Sequence, residues 1–130
     1  MLAGTIVRCD ATTPAATLFS LSRIRVFVEG KVQGVYYRET TRLKATSLGI
    51  TGRAWNLADK RVEIVAEGQK ERLEKLVEWC WKGPEGAAEV GMTDPLTKKR
   101  MVKNVTVEWV VDEQPGAERV YAEFANGGKK

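Results

Sequence analysis

A chain of 130 residues, 43% of them hydrophobic, is long enough for one domain with a single modest core, and no apolar run reaches membrane-spanning length. Its net charge of +4 and pI near 9.2 favour an anionic partner, a class that includes nucleic acids, anionic membranes and phosphorylated small molecules. The chain has no histidine, and its two cysteines, Cys9 and Cys80, lie in different contexts, which argues against a zinc site, a histidine proton shuttle or a disulfide, and for a reducing compartment.

Residues 1–22 show no sustained periodicity and read as a flexible tail. A transit peptide is the alternative, but Arg8 is the only basic residue before Arg23, so the expected location is cytoplasmic. From Arg23, the alternation of Ile24, Val26 and Val28 with Arg25, Phe27 and Glu29 predicts a strand, ended by the Gln33-Gly34 loop. Arg38 to Leu48 reads as a helix with Tyr37, Thr41, Ala45 and Leu48 on one face and Gly49 as its stop. Residues 50–56 and 62–67 read as a hairpin, with Val62, Ile64 and Ala66 on one side and Glu63 and Glu67 on the other. Leu73, Leu76, Val77 and Cys80 then follow helical spacing, and Gly83-Pro84 closes that helix. Val105, Val107, Trp109 and Val111 mark another strand, followed by a Pro115-Gly116 turn and a short strand over 120–124.

The order β-α-β-β-α-β predicts an α+β, ferredoxin-like sandwich, an antiparallel sheet with two helices on one face. The domain is expected over residues 23–125, between the tail at 1–22 and a second short tail at 126–130. This architecture hosts many unrelated activities, so function has to be argued from a site.

The run Glu29 to Arg38 leads from a strand through a glycine loop to an arginine at the start of a helix, and it contains no proline. Every N–H of the loop is therefore a potential donor, helix-start amides add more, and Arg38 supplies a planar charged fork: together, a cradle for a tetrahedral anion. Gly34 permits close backbone approach, while Gln33 and Val35 are expected to contribute main-chain N–H groups more than side chains. Tyr36 and Tyr37 offer an aromatic pair suited to stacking nucleic-acid bases, although the core is the expected place for Tyr37. No RNP-type aromatic signature, P-loop or dinucleotide-binding glycine motif occurs.

The pattern Gly30-x-Val32-Gln33-Gly34-Val35-x-Tyr37-Arg38, followed by Gly52-x-Ala54-x-Asn56 with Val62 and Gly68, resembles the paired signature of the acylphosphatases. The resemblance covers residues 23–82 closely and 102–125 loosely. It implies a metal-independent hydrolase with no cofactor, which cleaves the carboxyl-phosphate bond of small acyl phosphates and takes inorganic phosphate or sulfate as product-like ligands. It further implies that Arg38 and Asn56 are catalytic, Asn56 holding the attacking water, and that Gly30, Val32, Gln33, Gly34, Val35, Tyr36, Tyr37 and Arg38 form the phosphate cradle. The protein is then expected to be a monomer without membrane or nucleic-acid partners.

Against the family pattern, Arg53 and Trp55 exchange an aromatic and a basic position, and Lys60 stands where the hairpin turn has a glycine. Leu57 occupies a position that is often small and polar. Residues at about 87–103, with Lys98, Lys99, Arg100 and Lys103, form an insertion. These cations suit either a lid that gathers anionic substrate or a solvated loop; the loop is the expected reading, at the end of the sheet away from the cradle.

Overall fold

Alternation of aliphatic and polar residues makes 20–31 a strand with one wholly buried face: Ile24, Val26 and Val28 point into the core while Arg25 faces out. This is β1 (Ser20–Lys31) of a computed structural model that describes residues 20–130. The reading of residues 1–19, and Cys9 with them, lies outside the described residues. Residues 20–22 belong to the sheet and not to a tail, since Leu21 and Ser22 are fully buried.

The elements that follow are α1 (Tyr37–Ser47), β2 (Thr51–Asn56), β3 (Val62–Gly68), α2 (Lys70–Cys80), a short α3 (Pro84–Glu89), a 3-10 turn (Pro95–Lys99), β4 (Met101–Pro115) and β5 (Phe124–Lys129). The sheet order is β4-β1-β3-β2-β5. The first four strands give the ferredoxin-like arrangement, with antiparallel pairing at each contact. Tyr37 and Ala45 from α1 and Leu73, Leu76, Trp79 and Cys80 from α2 close over Val26, Val28, Ile64 and Ala66 in one core. Each of these larger side chains contributes about 1.5–3 kcal/mol by leaving water.

Three further boundaries differ from expectation, and one cause unites two of them. Glu67, on the helix-free face of β3, is fully buried. Its carboxylate is paired with Arg23 at 2.7 Å and accepts the N–H groups of Val120 and Tyr121 at 2.8 Å each. A buried carboxylate needs such partners, and by capturing them it draws the chain after β4 across the open face of the sheet. Residues 120–121 are thus occupied with Glu67 and form no strand. The strand lies later, as β5, alongside β2 with Gly52 opposite Phe124. The predicted tail at 126–130 is therefore mostly sheet, and because β5 runs parallel to β2 the sheet is mixed and not purely antiparallel. The third difference is the stretch 87–103, which is the end of α3, a 3-10 turn and the first residues of β4.

Candidate active site

The loop after β1 turns sharply. Gly34 takes φ 76°, and Tyr36 takes φ 62°, a left-handed conformation that costs a side-chain-bearing residue roughly 1–2 kcal/mol. That turn opens α1 with Tyr36 as its N-cap and with no side chain capping it; the first turn closes through Thr40 N–H to the Tyr36 carbonyl at 3.0 Å. The N–H groups of Tyr37, Arg38 and Glu39 accordingly have no acceptor within the helix, and the helix dipole adds positive potential where they emerge.

These amides border a cavity of about 480 Å³ lined by Val32, Gly34, Tyr36, Tyr37, Arg38, Glu39, Asn56, Leu96 and Asn126. Arg38 and Asn56, which the sequence singled out separately, thus meet in one cavity. Arg38 Nη1 donates to Asn126 Oδ1 at 2.7 Å. Asn56 is the last residue of β2, and its carbonyl accepts the Lys130 N–H at 2.9 Å. Its side-chain Oδ1 is buried with no hydrogen-bond donor among the described residues. Glu39, the one carboxylate of the lining, is held by Arg42 at 2.6 and 3.0 Å, and that pairing keeps its carboxyl below the usual range.

The remaining cradle residues divide by role. Val32, Gly34, Tyr36 and Tyr37 line the cavity. The Val35 side chain points into the core. Tyr37 is also buried; its hydroxyl donates to the Cys80 carbonyl at 2.7 Å, and burial raises its pKa well above that of an ordinary phenol. Burial likewise pushes the Cys80 thiol to about 12, so it stays protonated. Tyr36 is 43% exposed at the rim.

Gln33 departs from expectation, because its side chain matters: Nε2 donates to the carbonyls of Leu57 and Arg61 at 2.8 and 2.9 Å, stitching the cradle loop to the turn that follows Asn56. Gly30 lies outside the cavity lining. It sits at φ 130° beside an irregularity in the β1/β4 ladder, where a Cβ would come within 2.2 Å of the Met101 carbonyl oxygen, so its absence lets β4 approach.

The departures from the family pattern are absorbed locally. Lys60 takes φ 80°, the conformation a glycine would favour, and the turn closes through Leu57 N–H to the Arg61 carbonyl at 2.9 Å. The Trp55 ring is covered by Lys130, whose Nζ lies 4.4 Å from its centroid.

The expected position of the 87–103 segment is wrong. Met101 pairs with Lys31 at the cradle end of β1, Leu96 lines the cavity, and Arg100 reaches beneath the loop, donating to Thr40 Oγ1 at 2.7 Å. The cause is topological: α2 runs back along β3, and β3 is antiparallel to β1, so α2 ends where β1 ends. Leu96, Arg100 and Asn126 were therefore missed as site residues. The element order alone would have found the first two; Asn126 had no signal, because β5 reads Phe-Ala-Asn-Gly-Gly-Lys, a poor strand sequence.

Comparison with known proteins fits this geometry. A family model described as Acylphosphatase matches residues 24–106. The chain is 48% identical over 90 residues to an acylphosphatase of Pelotomaculum thermopropionicum, covering 69% of this chain and 84% of that one. It is 56% identical over 68 residues to one of Marinobacter nauticus, covering 52% and 74%. Among solved structures, an acylphosphatase from Coxiella burnetii superimposes with a TM-score of 0.63 at 35% identity, covering 83% of this chain and 94% of that one. The chain belongs to the acylphosphatase family.

Proposed function

We propose that this enzyme hydrolyses acyl phosphates with Arg38 and the amides of the cradle holding the phosphoryl group and Asn56 positioning the attacking water. Family membership supports the reaction, and the observation that supports the assignment of roles is that Arg38 and Asn56 border one cavity, the latter with a buried, unpaired Oδ1. A carboxamide orients water by accepting one proton without acting as a base. The water oxygen forms a bond to phosphorus while the bond from phosphorus to the acyl oxygen breaks. The electron pair leaves on the carboxylate, and the water's protons pass to phosphate and solvent.

No general acid is needed, because the leaving carboxylate has a conjugate acid of pKa about 4. What remains is alignment of the water and stabilisation of charge on the transferring group, the main tasks in phosphoryl transfer. Helix-start amides and a guanidinium supply the second, and Gln33 fixes the cradle relative to Asn56 and so supplies part of the first. A phosphoryl group fills only part of a 480 Å³ cavity. The rest, between exposed Tyr36 and Leu96, takes the acyl substituent. Among the described residues no helix is long and apolar enough to cross a membrane.

Kinetics of two variants test the roles. Arg38→Ala is expected to lose turnover by on the order of 100-fold to 1000-fold, as for removal of a preorganised donor to developing charge, and Arg38→Lys to recover little of it. Asn56→Ala is expected to lower kcat while leaving inhibition by inorganic phosphate nearly unchanged. Loss of phosphate inhibition in Asn56→Ala, or near-normal rates in Arg38→Lys, would refute the assignment. Turnover in excess chelator is expected to match that without it.

A further inference from the structure

Arg100 is a buried cation that pairs with no carboxylate among the described residues. It is 3% exposed, its guanidinium carbon lies 4.8 Å from the Tyr37 ring centroid and 5.9 Å from that of Trp79, and its Nε and Nη1 find no acceptor among the described residues. Its Nη2 donates to Thr40 Oγ1 at 2.7 Å and, at 3.4 Å, to the carbonyls of Val35 and Tyr36. The titratable groups around it are the buried Tyr37 phenol and Cys80 thiol and, more weakly, the exposed Glu85 carboxylate. Burial lowers the Arg100 pKa, while the two buried neighbours are held protonated. An isolated buried charge of this kind is strongly unfavourable unless something compensates it.

The peptide geometry shows where compensation lies. In a planar trans peptide the C=O and N–H point in opposite directions. With the Val35 and Tyr36 carbonyls drawn toward Arg100, the N–H groups of Tyr36 and Tyr37 are turned to the other side, where the cavity lies. Arg100 thus stands one peptide layer behind the turn whose residues Tyr36 and Tyr37 line the cavity.

We propose that Arg100 is a positioning residue for the phosphoryl group: it holds the left-handed cradle turn with its N–H groups outward, and its own charge is neutralised by the bound dianion through that single layer of backbone. The proposal rests on the reading of residues 30–38 as the phosphate site. It makes the free enzyme carry an electrostatic cost that ligand binding removes, which a purely structural arginine does not predict.

The test is thermal unfolding with and without inorganic phosphate, together with phosphate inhibition of acyl phosphate hydrolysis, for wild type, Arg100→Met, Arg100→Lys and Arg38→Ala. Arg100→Met removes the buried charge at similar volume. Without phosphate it is expected to melt no lower than wild type, while losing most of the phosphate-induced rise in Tm and raising the phosphate inhibition constant about tenfold, the scale of losing one cation near a partly screened dianion. Arg100→Lys keeps the charge and is expected to hold phosphate within about threefold of wild type by the same criterion. An Arg100→Met protein that fails to fold, or that melts lower with unchanged phosphate inhibition, overturns the proposal, as does an Arg100→Lys protein that loses phosphate as fully as Arg100→Met. Arg38→Ala separates the two levels: if it leaves phosphate inhibition intact, the site reading fails; if it abolishes inhibition while Arg100→Met does not, only the role of Arg100 fails.

Discussion

Arg38 is oriented by Asn126, which accepts its Nη1 proton at 2.7 Å across 88 residues of sequence. The tether depends on a distant event. Glu67 binds the amides of Val120 and Tyr121, that contact carries the chain over the sheet, and β5 then pairs with β2 so that Asn126 reaches the cavity. An arginine side chain gives up considerable rotamer freedom when it clamps a ligand, so under the proposed role of Arg38 its bond to Asn126 removes part of that cost before substrate arrives.

Asn126→Ala is accordingly expected to lower kcat/KM by about 2- to 12-fold, the equivalent of one net hydrogen bond of 0.5–1.5 kcal/mol, with little change in Tm because the contact is exposed. Asn126→Asp is expected to do more damage than alanine, since a carboxylate at this position pairs with Arg38 and repels the phosphoryl dianion. Equal steady-state rates for all three proteins would make the contact incidental.

The sequence carried the site's centre better than its surroundings. Gly30 to Arg38 and Gly52 to Asn56 are local patterns that can be read without knowledge of the fold, and the structure brings Arg38 and Asn56 from them to one cavity. Strands and helices with clean periodicity, such as 24–28 and 73–80, were legible too. Features built by distant pairing were not. Glu67 looks like an ordinary outward-facing strand residue until Arg23 and the 120–121 amides close on it. Arg100 sits in a basic run that reads as a solvated loop, and only the direction of α2 brings it beneath the cradle.

Lys60 provides a test of stability separate from chemistry. Its φ of 80° costs a lysine roughly 1–2 kcal/mol that a glycine avoids, against the greater entropy glycine loses on folding. Lys60→Gly is expected to raise stability by about 0.5–1 kcal/mol in denaturant titration, with an unchanged m-value. Activity should stay within about twofold, because Gln33 holds the carbonyls of Leu57 and Arg61 in either case. Destabilisation would mean that the turn relaxes away from a positive φ once lysine no longer occupies it.

Leu96 decides what the 3-10 segment does for catalysis. It is 41% exposed and lines the same cavity as Arg38, Asn56 and Tyr36, so under the proposed function it is a candidate contact for the group to which the phosphate is attached. Under that proposal an acyl group as large as an aromatic ring is expected to touch Leu96 and an acetyl group is not. Leu96→Ala is therefore expected to raise KM for benzoyl phosphate about 5- to 30-fold, the worth of about 1–2 kcal/mol of apolar contact, with acetyl phosphate nearly unaffected and phosphate inhibition unchanged. Replacing residues 89–99 by a short glycine-serine link is expected to act more broadly, lowering turnover of both substrates because it also removes the 3-10 turn that leads into Arg100. If the shortened protein folds and processes both substrates at the wild-type rate, neither the apolar wall nor the approach to Arg100 bears on the reaction, and the segment is a surface loop despite its position.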